Sequence, residues 1–175
     1  LDMPSVGATV NAIFASVKAK GITRVNNAAR EPEIENIIDF LNKMGAKITG
    51  AGTSTITIEG VDYLHSTKIN VIPDRIEAGT YIIIGALAGN PIKVDNLIPE
   101  HIDPLLSKLE EMGVDIEEYD DAIRVRRTNP LRPCDVRTMP YPGFPTDLQP
   151  QIVALLTLAK GTSMVTEDVW DNRFQ

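Results

Sequence analysis

The sequence predicts an α/β protein assembled from a repeated helix–strand–helix–strand–strand unit. Three observations carry that prediction. The apolar stripe Ile34, Ile37, Ile38, Leu41 and Met44 recurs as Ile102, Leu105, Leu106, Leu109 and Met112, each residue displaced by 68 positions. Each stripe ends in a Met-Gly pair, Met44-Gly45 or Met112-Gly113, beyond which the apolar period drops from that of a helix to two. Each is entered through a proline, Pro32 or Pro99, which suits a first helical turn that has no use for its amide, and left through a glycine that tolerates the left-handed exit. Self-similarity at a fixed period is the mark of a repeat architecture.

Taken in order, the small-residue segment Ala8 to Lys20 reads as a first helix, closed by Gly21 and followed by a strand over Ile22–Asn26. The i, i+3, i+4, i+7 spacing from Ile34 to Met44 makes the second helix, with one buried face. Alternation over Ala46-Lys47-Ile48 and Thr55-Ile56-Thr57-Ile58 predicts two short paired strands, with the polar, glycine-containing link Thr49 to Ser54 as their turn. The second copy repeats the order: a helix over Glu77 to Ala88, Gly89, a strand over Ile92–Asn96, the Ile102 to Met112 helix, and strands at Val114-Asp115-Ile116 and Ala122–Val125 linked through Glu117 to Asp121. A third copy opens with a helix from near Asp147 through Lys160, then Gly161 and a strand at Thr162–Thr166. Its second helix and hairpin do not follow. A unit that stops there leaves its sheet short of strands, and with Leu1 in place of an initiator Met the expectation is a truncated chain.

Composition narrows the class. At 175 residues and 43% hydrophobic content the chain is large enough for a real core, and with aromatics at 5% that core is aliphatic. No apolar run approaches the roughly 18 residues that span a bilayer, and no basic segment leads into an apolar signal core, so a cytoplasmic protein is expected. The net charge of −7 is concentrated in residues 73–130, which hold twelve acids against six bases. An acidic surface without a Lys/Arg stripe argues against nucleic-acid binding, yet it leaves room for an anionic small substrate held by a few arginines. The one cysteine, Cys134, excludes an internal disulfide framework.

Five segments in order carry a resemblance. They are Asp2-Met3-Pro4-Ser5-Val6-Gly7-Ala8-Thr9, Asn27-Ala28-Ala29-Arg30-Glu31-Pro32-Glu33, Pro73-Asp74-Arg75-Ile76-Glu77-Ala78-Gly79-Thr80, Pro142-Gly143-Phe144-Pro145-Thr146-Asp147-Leu148-Gln149 and Asp171-Asn172-Arg173-Phe174. Together they resemble the enolpyruvyl transferases that act on UDP-N-acetylglucosamine, over essentially the whole chain. The resemblance implies two globular domains, each of three inside-out α/β repeat units with helices inside and sheets outside, flanking a deep cleft. Residues 1–72 would be the last unit of the first domain, 73–130 the first unit of the second, and 131–175 the start of a further, truncated unit. It also implies the chemistry: transfer of the enolpyruvyl group of phosphoenolpyruvate to the sugar 3-hydroxyl, at the first committed step of peptidoglycan synthesis, with no metal or organic cofactor.

By position, Ser5, Val6 and Gly7 resemble the family's nucleotide-contacting loop. A serine before a small residue at a helix start offers a hydroxyl and free amides to an anion, and equally well caps the helix. A nearby lysine of some members is Met3 here. Asp147 matches the aspartate against the sugar hydroxyl, the candidate general base; a simple helix cap is the alternative. Arg173 matches the arginine near phosphoenolpyruvate, its planar fork suited to a phosphate; beside Glu167, Asp168 and Asp171 it could instead form a surface ion pair. Val169 matches a residue whose backbone meets the substrate, and Trp170 stands where the family frequently has Phe.

Other residues attract attention and carry less. The family's acid cysteine lies upstream of the Ser5-Val6-Gly7 segment, so Cys134, in a connection into a strand, is not that residue; adjacent Asp135 should raise its pKa. His65 and His101 lack partners at zinc-site spacing. Asp120-Asp121 ends a hairpin in solvent, and Arg75 sits where the resemblance puts the crossover between domains. Two other readings remain open: the related transferase acting on shikimate 3-phosphate, and a non-catalytic binding or assembly module of the same repeats.

Overall fold

The computed structural model describes residues 1–170 and Arg173. The chain divides into two compact units, Leu1–Ile72 and Pro73–Gln175. Asp171, Asn172 and Phe174 of the last matched segment lie outside the described residues.

The first unit runs α1 (Val6–Ser16), β1 (Ile22–Asn26), α2 (Pro32–Lys43), β2 (Lys47–Thr49) and β3 (Thr55–Glu59). Its three strands form an antiparallel sheet in the order β1-β3-β2, with Val25 opposite Ile56 and Ile48 opposite Ile58. Those four residues make one apolar face, against which Ile13 and Val17 at the end of α1 and Ile34, Ile38 and Leu41 of α2 are buried. Each such side chain removed from water contributes about 1.5–3 kcal/mol, so the stripe read from the sequence is also the main source of cohesion.

The second unit repeats the order with α3 (Arg75–Ala88), β4 (Ile92–Asp95), a 3-10 turn over Pro99–Ile102, α4 (Asp103–Glu111), β5 (Asp115–Tyr119) and β6 (Ala122–Arg126), and its sheet has the corresponding order β4-β6-β5. It then adds β7 (Val136–Arg137), a 3-10 turn over Thr146–Leu148, α5 (Gln149–Leu156) and β8 (Val165–Thr166), with β7 and β8 paired in parallel. Leu131, Val136, Phe144, Leu148, Ile152 and Leu155 join the same core as Ile82, Leu105, Leu109 and Ile123. Helix α3 approaches its neighbours closely at two glycines: a Cβ on Gly79 would meet Leu148 at 2.7 Å, and one on Gly85 would meet Val125 at 2.5 Å.

The two copies agree in detail that the apolar stripes do not reveal. Asn27 and Asn96, each just past the first strand of its unit, are left-handed with φ 55° and 58°. In each copy the next amide closes onto the hairpin: Ala28 N–H donates to the Ser54 carbonyl and Leu97 N–H to that of Asp121, both at 3.0 Å. After each helix, Ala46 N–H reaches back to the Leu41 carbonyl and Val114 N–H to that of Leu109, across Gly45 and Gly113, which both have positive φ.

Several boundaries differ from the sequence reading, each for a local reason. Helix α1 begins at Val6 and stops at Ser16 rather than spanning Ala8–Lys20, because Val61 N–H takes the Val17 carbonyl and Gly60 N–H that of Gly21, drawing 17–21 into tertiary contacts. The second stripe is split into a 3-10 turn and α4 because Pro104, absent from the matching place in the first copy, has no amide for the carbonyl four residues back. Much of the link Glu117–Asp121 is strand: β5 continues to Tyr119, leaving Asp120 and Asp121 as the turn. The helix of the third copy, α5, is confined to Gln149–Leu156, and the strand expected at Thr162–Thr166 shrinks to Val165–Thr166. There the Ser163 hydroxyl accepts Cys134 N–H at 3.2 Å and the Asp135 carboxylate accepts Met164 N–H at 2.7 Å, so side chains replace the ladder.

Candidate functional site

In the first unit Ser5 caps α1: its hydroxyl accepts the Ala8 amide at 3.3 Å, so the capping role is present. Ser5 and Gly7 are exposed and Val6 is half-buried, and nothing lies within 4 Å of where a Gly7 Cβ would stand. The first-turn amides have no partner inside the helix, so this end remains open to an anion while Ser5 acts as its cap.

The second unit brings the other candidates together. Asp147 lies in the Thr146–Leu148 turn, exposed, and its carboxylate caps neither that turn nor α5, whose cap position is Leu148. The cap alternative for Asp147 is thereby corrected: the helix starts two residues later, and the side chain is displayed to solvent. Arg173 donates from Nη2 to the carbonyl of neighbouring Thr146 at 3.1 Å. Of the acids expected to compete for that arginine, Asp168 pairs with Arg137 and Glu167 binds amides and hydroxyls, while Asp171 lies outside the described residues. Val169 is half-buried, and its N–H is already donated to Glu167 at 2.9 Å.

Glu167 is not singled out by the sequence, which shows it only as one acid in an acidic stretch. In the fold it is the centre of the group. One carboxylate oxygen accepts the Val169 and Trp170 amides at 2.9 and 3.0 Å, and the other accepts the Thr146 hydroxyl at 3.0 Å. Burial alone would push Glu167 up, but hydrogen bonds from Thr138, Val169, Trp170 and Thr146 outweigh it and hold the carboxyl below its ordinary 4.5. Thr138, fully buried, also accepts the Asp168 amide at 3.1 Å. A serine or threonine three residues or fewer from a candidate acid, paired with a Glu two residues before a backbone contact, is too common a pattern to flag this network.

The residues set aside also find places. Cys134 is 4% exposed, and its thiol is pushed up first by burial and then by Glu111, with Asp135 a smaller contributor against the opposing Lys108. Its exchange with a chromogenic disulfide, read by the thiolate released, is expected to be more than about tenfold slower in the native chain than in denaturant; equal rates would contradict the burial. His65 packs over Gly45, where an added Cβ would meet a ring carbon and a ring nitrogen at 3.4 Å, and its Nδ1 lies 3.1 Å from the Ser66 carbonyl. The Arg75 guanidinium lies over the Tyr141 ring, 5.7 Å from its centre. Among the described residues no group of three or more His, Cys, Asp or Glu is placed to hold a metal ion, and no helix is long and apolar enough to cross a membrane.

Comparison with known proteins places this geometry. The chain is 52% identical over 174 residues to UDP-N-acetylglucosamine 1-carboxyvinyltransferase 3 of Caldanaerobacter subterraneus subsp. tengcongensis, covering 99% of this chain and 42% of that protein. It is 55% identical to the UDP-N-acetylglucosamine 1-carboxyvinyltransferase of Halothermothrix orenii, again over 99% of this chain and 42% of the relative. The chain therefore spans about two-fifths of the length of these curated relatives. Among solved structures it superposes on the enolpyruvyl transferase NikO from Streptomyces tendae with a TM-score of 0.84 at 30% identity, over 96% of this chain and 40% of that one. An EPSP synthase from Acinetobacter baumannii matches at a TM-score of 0.65 and 19% identity, over 94% of this chain and 39% of the other, a likeness of fold alone. The family model described as EPSP synthase (3-phosphoshikimate 1-carboxyvinyltransferase) matches residues 1–175. Matched by that model from its first residue to its last, and folded as the solved enolpyruvyl transferases are, the chain belongs to the EPSP synthase family.

Proposed function

We propose that this chain is part of a UDP-N-acetylglucosamine 1-carboxyvinyltransferase and supplies residues of its substrate site. The observation that carries the reading is one hydrogen-bonded network in the second unit that joins Val169, through Glu167, and Arg173, directly, to Thr146, the residue before Asp147. Identity supports the nucleotide-sugar substrate over shikimate 3-phosphate: the curated transferases for UDP-N-acetylglucosamine stand at 52–55%, the EPSP synthase structure at 19%.

In this reading the sugar 3-hydroxyl adds to C2 of phosphoenolpyruvate as C3 takes up a proton, and loss of a C3 proton together with phosphate then restores the double bond, with the enolpyruvyl group now on the sugar. The exposed Asp147 carboxylate accepts the hydroxyl proton as general base, and the Arg173 guanidinium balances charge on the phosphate as it departs. The open first turn of α1 at Ser5, Val6 and Gly7 takes the nucleotide, and the Val169 backbone contacts the sugar substrate. The reaction belongs to cytoplasmic peptidoglycan synthesis. Residues 1–72 form the last repeat of one family domain, 73–130 the first of the next, and 131–175 the beginning of a further repeat.

These 175 residues alone are expected to bind UDP-N-acetylglucosamine in calorimetric titration, to lose that binding in Asp147→Ala, and to release no phosphate from the two substrates, since the acid cysteine is not among them. Turnover comparable to an intact relative would overturn the assignment of a partial site. A protein partner together with no nucleotide binding would favour the non-catalytic module instead.

A further inference from the structure

The geometry points to Glu167 as a positioning residue that ties the segment carrying Asp147 to the segment carrying Val169 and Arg173; this rests on the transferase reading of the site. The two segments are far apart in sequence: one is the 3-10 turn that leads into α5, the other begins after the two-residue β8. Backbone hydrogen bonds bring both segments to the end of β7, Thr138 N–H donating to the Thr166 carbonyl at 2.9 Å and Met139 N–H to that of Phe144 at 3.0 Å, but these stop one residue short of Glu167 and two short of Thr146. Glu167 spans the gap, with Oε2 on the Thr146 hydroxyl at 3.0 Å and Oε1 on the Val169 and Trp170 amides at 2.9 and 3.0 Å.

Two further contacts make the arrangement directional. Arg173 binds the carbonyl of the same Thr146 whose hydroxyl Glu167 holds, so both ends of one residue are fixed, and the residue that follows is Asp147. Thr138 anchors the carboxylate from β7's side while accepting the Asp168 amide, and Arg137 holds Asp168. A carboxylate is the suitable group because it is acceptor-only: each oxygen faces donors, and no rotation of the side chain can present a proton in place of a lone pair. The lowered pKa of Glu167 agrees with that donor set. Glu167 touches no reacting atom; its effect passes through Thr146 and Val169.

The test uses the 175-residue chain, its Glu167→Ala form and the milder Glu167→Gln, which keeps the length of the side chain and one acceptor oxygen. Hydrogen exchange at the Val169 and Trp170 amides is read by NMR without ligand, and Trp170, the single tryptophan, reports the same segment by fluorescence. Exchange is expected to rise at least about tenfold in Glu167→Ala and less in Glu167→Gln, while the amides of β4, β5 and β6 keep native rates. UDP-N-acetylglucosamine affinity is then expected to fall by up to about 10²-fold in Glu167→Ala, with partial rescue in Glu167→Gln, as for a contact displaced by about 1 Å. Native exchange at both amides in both variants overturns the tie. Faster exchange with affinity within twofold of native overturns the positioning role. If the unaltered chain binds no UDP-N-acetylglucosamine, the transferase reading of the chain fails, and the exchange measurement alone decides whether Glu167 joins the two segments.

Discussion

Asp147→Asn, made in an active enzyme that contains this chain, is expected to lower kcat by about 10²–10⁴-fold, the usual contribution of a positioned general base. The substitution keeps the shape and an acceptor oxygen but removes the basic lone pairs, so KM for the nucleotide sugar should change far less than kcat. Stability should stay within about 0.5 kcal/mol, because Asp147 is exposed and caps neither its own turn nor α5. That pairing of a large kinetic effect with a small structural one separates a base from a cap. Steady-state phosphate release and thermal unfolding on the same samples check it, and a kcat within threefold of the parent would remove Asp147 from the chemistry.

The largest structural effect is expected at Gly60, which no site involves. A Cβ there would stand 1.5 Å from the Ala19 carbonyl oxygen and 2.7 Å from its carbon, both backbone atoms that cannot swing aside. Gly60 N–H also donates to the Gly21 carbonyl and Val61 N–H to that of Val17, each at 3.0 Å, so moving the strand end away breaks the contacts that close α1 onto the sheet. Gly60→Ala is expected to cost about 3 kcal/mol, appearing as a drop of roughly 10–20 °C in the unfolding of the first unit. Gly7→Ala is the control: its Cβ meets nothing within 4 Å, and alanine is the better helix former, so stability should hold or rise by up to about 1 kcal/mol. Calorimetry on the two variants decides; equal melting for Gly60→Ala and the parent would mean the strand end yields without loss.

Much of the architecture is legible in the sequence because it rests on local chemistry. The stripe from Ile34 to Met44 buries Ile34, Ile38 and Leu41, and its counterpart buries Ile102, Leu105, Leu106, Leu109 and Met112, where a 3.6-residue period puts them. Strand β1 falls on Ile22–Asn26, directly after Gly21, as its place in the repeat indicates. The break at Pro104 is masked, since the apolar spacing continues through it while the hydrogen bonding does not. The ends of α1 and the length of β8 are not readable: they depend on Val61 reaching Val17, and on Ser163 and Asp135 taking amides, contacts between residues 29 or more positions apart.

The site divides along the same line. Ser5, Asp147, Val169 and Arg173 can be named from motifs, because each motif preserves a residue type and a short spacing. What those residues do to one another cannot. A capping Asp147 is an outcome that sequence spacing treats no differently from the exposed one observed. By itself the sequence determined the repeat, the family likeness and the identity of the candidate groups, since these are written in periodicity and in short contiguous strings. Only the tertiary structure decided that Arg173 grips the Thr146 carbonyl, that Asp147 faces solvent, and that Glu167 joins their segments. Hydrogen bonds across 21 and 27 positions depend on where the chain returns in space, and no local propensity encodes that return.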